Sequence, residues 1–158
     1  MARHLNPPCP IRLFLVDDEP VVRKGLRLLF SREPGLEVCG EAGTELEALA
    51  GILSQRPDLA IVDLSLKEGD GLALIKRLHR LGPAPKILVF SMHEQAYFAV
   101  TAVAAGAHGY VLKEDGTEQL LQAIQEVMKG KCYLSSRMAS KTPRLGLHSN
   151  PGARTQKP

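Results

Sequence analysis

Five short apolar runs, separated by longer amphipathic stretches, most constrain what this chain can fold into. The runs are rich in Val, Ile and Leu, as strands buried on both faces of a sheet should be. They lie at residues 11–16, 36–39, 59–62, 86–90 and 109–112. Strands that alternate with helical patterns in this way predict an α/β domain built on a parallel sheet.

The helical patterns have recognisable start signals. Pro20 suits the first turn of a helix, Thr44 and Glu47 have the spacing of a capping box, and Asp70 suits an N-cap. The predicted helices span about 20–31, 44–56, 71–81, 94–105 and 117–128. Right-handed crossovers then favour a doubly wound five-stranded sheet of order 2-1-3-4-5.

The chain has 158 residues, enough for one domain with a full core and too few for two ordinary ones. We assign residues 1–10 to an N-terminal extension, 11–132 to the folded domain and 133–158 to a linker and a disordered basic tail. Net charge is +3, but residues 136–158 carry five basic side chains and no acid. The body is therefore slightly acidic, and its charge gives no sign of nucleic-acid binding.

Composition excludes several other classes. Aromatic residues make up 4% and Trp is absent, which argues against a base-stacking surface. Cys9, Cys39 and Cys132 are odd in number and widely spaced, which is typical of reduced thiols. No apolar run approaches the ~18–20 residues of a membrane span, and residues 1–10 do not resemble a signal peptide. We expect a cytoplasmic protein with no membrane contact.

Polar side chains follow four of the predicted strands. Asp17 and Asp18 follow the first, Asp63 the third, Ser91 the fourth and Lys113 the fifth. In a parallel sheet these ends open on one edge, where ligands bind. Three carboxylates there would repel one another, and a hard divalent cation with oxygen ligands would relieve the repulsion. The sequence therefore predicts a magnesium site at this edge.

Each of these residues has an ordinary structural explanation when it is taken alone. Paired acids before a helix usually complement its dipole, and a single acid after a strand usually caps a loop. A lone Lys is usually solvated, and a lone Ser usually belongs to a turn. Acids, a hydroxyl and an ammonium at four strand ends, in this order, are much harder to reach by chance.

Four segments, LFLVDDEP, AIVDLSLKEGDGLALI, ILVFSMHE and GAHGYVLKED, resemble the signature blocks of response-regulator receiver domains. The resemblance covers about residues 10–135. It is strongest to the two-component LuxR/NarL/FixJ-type subfamily, whose members carry a C-terminal helix-turn-helix domain. It implies a flavodoxin-like (CheY-like) fold, phosphorylation by a sensor histidine kinase and regulation of transcription, with a homodimer on phosphorylation left open.

By this resemblance, Asp63 is the phosphoacceptor. Asp18, Asp63 and the backbone carbonyl of Ser65 would bind Mg²⁺ directly, and Asp17 would do so through water. A carboxylate that attacks phosphorus forms an acyl phosphate, and a metal with a lysine suits the charge of the transferring group.

The resemblance also implies roles for three residues on the later strands. Lys113 would pair with the phosphoryl oxygens, and Ser91 would donate a hydrogen bond to one of them. Tyr110 matches an aromatic switch position, so phosphorylation is expected to remodel the face of helix 4, strand 5 and helix 5. His93, two residues after Ser91, is either a solvated rim residue or an influence on hydrolysis of the acyl phosphate.

Two departures from the subfamily pattern stand out. Lys67 occupies a position where proline is usual, which loosens the loop but removes no chemistry. GKCYLSSRMAS resembles the linker that leads to the helix-turn-helix, and KTPRLGLHSNPGARTQKP follows it instead. A truncated chain, an altered C-terminus and a stand-alone receiver all remain open. We expect these residues to bind no specific DNA sequence, because a recognition element is missing from them.

Other classes on this topology fit less well. A pseudo-receiver would lack part of the set formed by Asp18, Asp63, Ser91 and Lys113. An aspartyl-phosphate phosphatase needs Asp-x-Asp after strand 1, and a flavin carrier needs a Ser/Thr/Gly-rich loop there. We therefore expect a signalling domain with self-catalysed phosphotransfer and dephosphorylation, not an enzyme.

Overall fold

The computed structural model describes residues 9–142. They form one parallel sheet with helices on both faces. The strands are β1 (Ile11–Val16), β2 (Leu36–Ala42), β3 (Leu59–Val62), β4 (Lys86–Ser91), β5 (Gly109–Leu112) and β6 (Tyr133–Leu134). The helices are α1 (Pro20–Ser31), α2 (Glu45–Gln55), α3 (Gly71–Arg80), α4 (Ala96–Ala105), α5 (Thr117–Met128) and α6 (Ser136–Lys141), with a 3-10 turn at Lys113–Asp115.

The strand order is β2-β1-β3-β4-β5-β6. The predicted doubly wound order 2-1-3-4-5 is therefore confirmed, and one strand is added beside β5. The expectation of a five-stranded sheet was wrong because β6 has two residues, too few to produce an apolar period in the sequence.

Each face of the sheet packs against its own set of helices. On one face, α1 and α5 cover Leu13, Leu15 and Ile61. On the other, α2, α3, α4 and α6 cover Phe14 and Val62 and the rest of that core. Because adjacent strand residues point to opposite faces, strands covered on both sides are apolar throughout, which explains the continuous runs in the sequence.

Two predicted N-caps are present. The Thr44 hydroxyl accepts a hydrogen bond from the Glu47 amide at 3.2 Å, and the Asp70 carboxylate accepts one from the Leu72 amide at 3.0 Å. Helix α4 begins two residues later than predicted, at Ala96, since residues 92–95 form a loop at the edge of the site.

The segment 133–142 was assigned to a linker, and the structure packs it against the sheet instead. Met138 and Ser135 are fully buried, and Leu134 is aligned with Tyr110 in the β5–β6 pairing. The rest of the predicted tail and most of the predicted N-terminal extension lie outside the described residues. Within residues 9–142, no helix combines the length and the apolar character needed to cross a membrane.

Replacement of Met138 tests whether this segment belongs to the folded domain. Met138→Ala leaves a cavity between α6 and the sheet and should lower the free energy of unfolding by about 2–5 kcal/mol. Met92→Ala is the matched control, because Met92 is 63% exposed and should change stability by less than about 0.5 kcal/mol. Urea unfolding measures both, and equal midpoints for the two variants would contradict the packing.

Candidate functional site

Three aspartates meet at the carboxyl edge of the sheet, beyond the ends of β1 and β3. These strands are neighbours, with Val16 paired to Val62, so the residues that follow them emerge side by side. Carboxylate oxygens of Asp17, Asp18 and Asp63 all lie within 4.8 Å of one another. Asp17 and Asp63 are buried, and Asp18 is partly exposed. The structure thus brings together the acids that the sequence placed at this edge.

Lys113 reaches two of these acids. Its Nζ lies 2.7 Å from Asp17 Oδ2 and 3.0 Å from Asp63 Oδ2, and its side chain is mostly buried. Lys113 opens the 3-10 turn that follows β5, two strands away from β3. One ammonium therefore bridges two buried carboxylates that would otherwise repel each other.

Burial sets the ionisation of this pair. Desolvation raises the pKa of Asp63 above its ordinary value of 3.8, and the Asp17 charge adds to the rise, while the hydrogen bond from Lys113 opposes it. Desolvation also disfavours the ammonium of Lys113, but its hydrogen bonds to Asp17 and Asp63 outweigh that effect and raise the pKa of Lys113. The structure therefore favours a charged lysine beside an acid whose ionisation is costly.

The two oxygens of Asp17 and those of Asp18 have different partners. Asp17 Oδ2 contacts Lys113, and its Oδ1 accepts a hydrogen bond from the Glu19 amide at 2.9 Å. Asp18 Oδ2 accepts one from the Lys67 amide at 3.2 Å. Lys67, noted in the sequence as a departure, thus holds Asp18 through its backbone, a contact that proline could not make.

Ser91, at the end of β4, and Tyr110, on β5, both form hydrogen bonds with the His93 backbone. Its amide donates to Ser91 Oγ at 3.2 Å, and its carbonyl accepts a hydrogen bond from the Tyr110 hydroxyl at 2.6 Å. Tyr110 is fully buried, and burial raises its pKa to about 12. Ser91 and Tyr110 are therefore joined through the backbone of one loop residue.

The His93 ring also lies closer to the site than the sequence suggested. Its Nε2 is 2.5 Å from Ser65 Oγ, and the ring stacks on Phe98 at a centroid distance of 4.2 Å. The Ser65 amide in turn donates to Asp63 Oδ1 at 3.3 Å. These contacts could not be predicted from the sequence, because His93 and Ser65 are 28 residues apart and share no motif.

The sequence also gave no indication of a role for Arg23 on α1. Its Nη1 donates a hydrogen bond to the Asp17 carbonyl oxygen at 2.6 Å. Only the periodicity of α1 could have drawn attention to it, since a charged residue here is 18% exposed rather than solvated.

The donor set fits a hard divalent cation. Carboxylate oxygens and carbonyl oxygens are the ligands that Mg²⁺ takes, and it needs few of them from protein. Three acids share a single lysine at this edge, so one acid remains without a cationic partner in the described residues. A cation would offset that charge and place positive potential beside Asp63.

Residues 13–125 match the sequence model of the response regulator receiver domain. The chain belongs to this family. The receiver is 37% identical over 130 residues to the DNA-binding transcriptional activator DevR/DosR of Mycobacterium tuberculosis, with 82% of this chain and 60% of that protein covered. It is 34% identical over 126 residues to the nitrate/nitrite response regulator protein NarL of Escherichia coli K12, with 80% and 58% covered. The chain thus spans about three fifths of these relatives.

Solved structures agree with the fold and the subfamily. A LuxR-family two-component response regulator from Aurantimonas sp. SI85-9A1 superposes with a TM-score of 0.81 at 36% identity, covering 85% of this chain and 96% of that one. The signal receiver domain of the NarL response regulator from Mycobacterium tuberculosis gives 0.73 at 28% identity, covering 78% and 100%. The resemblance to LuxR-type receivers is confirmed, as is the flavodoxin-like topology.

The raised pKa of Asp63 predicts that its charge destabilises the metal-free receiver. An acid with a higher pKa in the folded state contributes most stability below 3.8, and this contribution falls as pH rises to the folded-state pKa. At pH 7 without Mg²⁺, Asp63→Asn should therefore unfold at a higher urea concentration than the wild type.

Glu37→Gln is the control for this prediction, because Glu37 is an exposed acid on β2. It should leave the urea midpoint nearly unchanged. The difference between Asp63→Asn and wild type should shrink as pH falls toward 3.8. A lower midpoint for Asp63→Asn at pH 7 would show that the Lys113 pair outweighs desolvation.

Proposed function

We propose that this receiver accepts a phosphoryl group on Asp63 from a sensor histidine kinase. The observation that carries the proposal is the contact of Lys113 with both Asp63 and Asp17. It sets a fixed positive charge beside a carboxylate at an open edge, which is what transfer of a phosphoryl group requires.

In the proposed step, a carboxylate oxygen of Asp63 attacks phosphorus. The new Asp63 O–P bond forms as the P–N bond to the phosphohistidine of the kinase breaks, and the electron pair of that bond returns to the ring nitrogen. Lys113 pairs with the phosphoryl oxygens, on which negative charge is spread. Ser91 accepts from the His93 amide, so its own hydrogen can turn toward a phosphoryl oxygen.

For the metal, we propose Asp18, Asp63 and the Ser65 backbone carbonyl as direct ligands and Asp17 as a ligand through water. Both Asp17 oxygens already have protein partners, whereas Asp18 has a single long bond from a backbone amide. Asp18 is also the more exposed of the two. Bound Mg²⁺ would supply positive charge to the phosphoryl oxygens.

Phosphorylation at Asp63 is tested with acetyl phosphate and Mg²⁺. Intact-mass spectrometry should show one added phosphoryl group on the wild type and none on Asp63→Asn. Asp58→Asn is a control for loss of an acid near the same strand, since Asp58 directly precedes β3 at its opposite end. Equal labelling of wild type and Asp63→Asn would place the phosphate on another residue.

Asp18→Ala tests the metal assignment. Removing one of few protein oxygens should weaken Mg²⁺ binding sharply, seen by calorimetric titration. Asp70→Ala is the control, because Asp70 caps α3 and lies outside the acidic cluster. An unchanged titration with Asp18→Ala would show that Mg²⁺ binds elsewhere.

We propose that the effect of phosphorylation is transmitted to the output through the switch face, formed by α4, β5 and α5. The segment 133–142, which packs beside this face, would transmit it further. Tyr110 and Leu134 are paired neighbours in the sheet. Lys141 contacts the Glu94 carbonyl at 3.2 Å, next to His93, and Arg137 contacts Glu114 at 3.2 Å, next to Lys113. The segment thus contacts β5, the loop that carries His93 and the turn that carries Lys113.

Hydrogen exchange can test this route. Beryllofluoride with Mg²⁺, a phosphate mimic, should change amide exchange at 91–94 and around Tyr110, and also at 133–142. Exchange at the far ends of α2 and α3, remote from the site, should stay constant and serves as the internal control. A change at 91–94 with none at 133–142 would confine the response to the site.

In the longer protein suggested by the relatives, we propose regulation of transcription as the output. DevR/DosR is named a DNA-binding transcriptional activator, which supports this class of output. DNA would then be contacted through a helix-turn-helix domain of that longer protein. We propose a cytoplasmic location for this protein. We also propose that phosphorylation favours a homodimer, by analogy with the two-component family. Self-catalysed phosphotransfer and dephosphorylation would be the chemistry, with no separate substrate turned over.

A further inference from the structure

We propose that Arg23 is a positioning residue that holds the Asp17–Asp18 turn in the geometry needed to bind the metal. This rests on the proposed function, because it concerns the same acids. Arg23 touches neither the acids' carboxylates nor the site of attack, and acts through the backbone. Its guanidinium Nη1 lies 2.6 Å from the Asp17 carbonyl oxygen.

The contact sits where the sheet stops holding β1. The Asp17 amide still donates to the Ala42 carbonyl at 3.1 Å, and β2 ends at Ala42. After Ala42 the chain leaves β2 and enters α2. The Arg23 guanidinium therefore supplies a donor to the Asp17 carbonyl at the point where the ladder ends. This fixes the peptide plane between Asp17 and Asp18, and with it the direction in which the Asp18 side chain leaves the backbone.

The surroundings of the guanidinium are shaped to admit it. A Cβ on Gly43 would lie 3.2 Å from Arg23 Nη1 and 3.8 Å from the Asp17 carbonyl oxygen, so a side chain there would crowd the contact. The φ angle of Gly43 is not positive, so a glycine here provides room for the guanidinium and is not needed for the backbone conformation. Glu41 on β2 lies 3.8 Å from Arg23 Nε and draws the group toward the sheet.

The Arg23 side chain is held chiefly by the Asp17 carbonyl. Its Nε is buried and has no hydrogen-bond partner among the described residues, and Glu41 Oε1 lies 3.8 Å from it, within ion-pair distance only. The two acids that Arg23 positions also repel each other and would relax apart if the turn were free. A clamp on the backbone keeps their oxygens close enough for one cation to reach both.

The test compares Mg²⁺ binding by calorimetry across variants of the full chain. Arg23→Ala should weaken Mg²⁺ affinity by about tenfold, at the low end of losses seen when groups that orient metal ligands are removed. Labelling by acetyl phosphate should slow at low Mg²⁺ and recover at saturating Mg²⁺, since no reacting group is lost. Arg23→Lys should restore part of the affinity, because an ammonium can still donate to the carbonyl.

Arg27→Ala is the matched control. Arg27 lies on the same helix as Arg23 and pairs with Glu41 of β2 at 3.4 Å. It forms no hydrogen bond or ion pair with Asp17 among the described residues, so Mg²⁺ affinity should be unchanged. Gly43→Ala keeps Arg23 and crowds it, and should weaken Mg²⁺ binding without removing charge. If Arg23→Ala fails to fold, Gly43→Ala decides the proposal in its place.

Unchanged Mg²⁺ affinity in folded Arg23→Ala, or an equal loss in Arg27→Ala, would overturn the proposal. So would a loss of labelling that saturating Mg²⁺ does not restore, which would indicate a role beyond positioning. Absence of labelling on wild-type Asp63 would instead sink the proposed function. The two failures are therefore distinguishable in one set of measurements.

Discussion

The bridge from Lys113 to Asp17 and Asp63 is the interaction on which the arrangement of the site depends. It joins side chains that follow β1, β3 and β5, and so spans most of the sheet. Without a cation at this edge, buried acids would lie within a few ångströms of one another at a cost that the fold would have to absorb. The same charge that stabilises the resting site is the one that a phosphoryl group would need.

The proposed switch depends on the same charges. A buried acid with a raised pKa, held by one lysine, leaves the edge short of positive charge. A phosphoryl group on Asp63 would add negative charge near both Lys113 and Ser91. Ser91 and Tyr110 both hydrogen-bond to the His93 backbone, so in the proposed switch a shift of the Ser91 hydroxyl would move the loop on which the Tyr110 hydrogen bond depends.

Much of the fold and site was predictable because the signals are local. Helices α1 and α5 begin and end where apolar spacing and Pro20 placed them, and β1, β3 and β5 have the predicted bounds. The placement of Asp17, Asp63 and Lys113 at one edge follows from strand ends alone. Short elements are harder to predict, since β6 has two residues and α6 has only about one and a half turns of mixed sequence.

Contacts that depend on how separate elements are placed in space could not be predicted from motifs or periodicity. Arg23 has no motif of its own, and its value comes from a carbonyl at the end of another element and from the missing side chain of Gly43. The His93 ring is similar: its neighbours Ser65 and Phe98 become apparent only when the loop after β4 is in place. Such residues are set by tertiary geometry, and the sequence carries only their identity.

The segment 133–142 is a second case in which tertiary contacts are not evident from composition. By composition it resembles a linker, yet it buries Met138 and places Arg137 beside the 3-10 turn that carries Lys113. Asp115, whose side chain is 4% exposed, has Oδ1 3.6 Å from Arg137 and an Oδ2 without a hydrogen-bond partner in the described residues. Release of Arg137 would leave that acid buried without its cation, so the segment and the turn favour moving together. In the proposed switch, displacement of this segment would break the Arg137 pairs with Glu114 and Asp115 and so disturb the turn that carries Lys113.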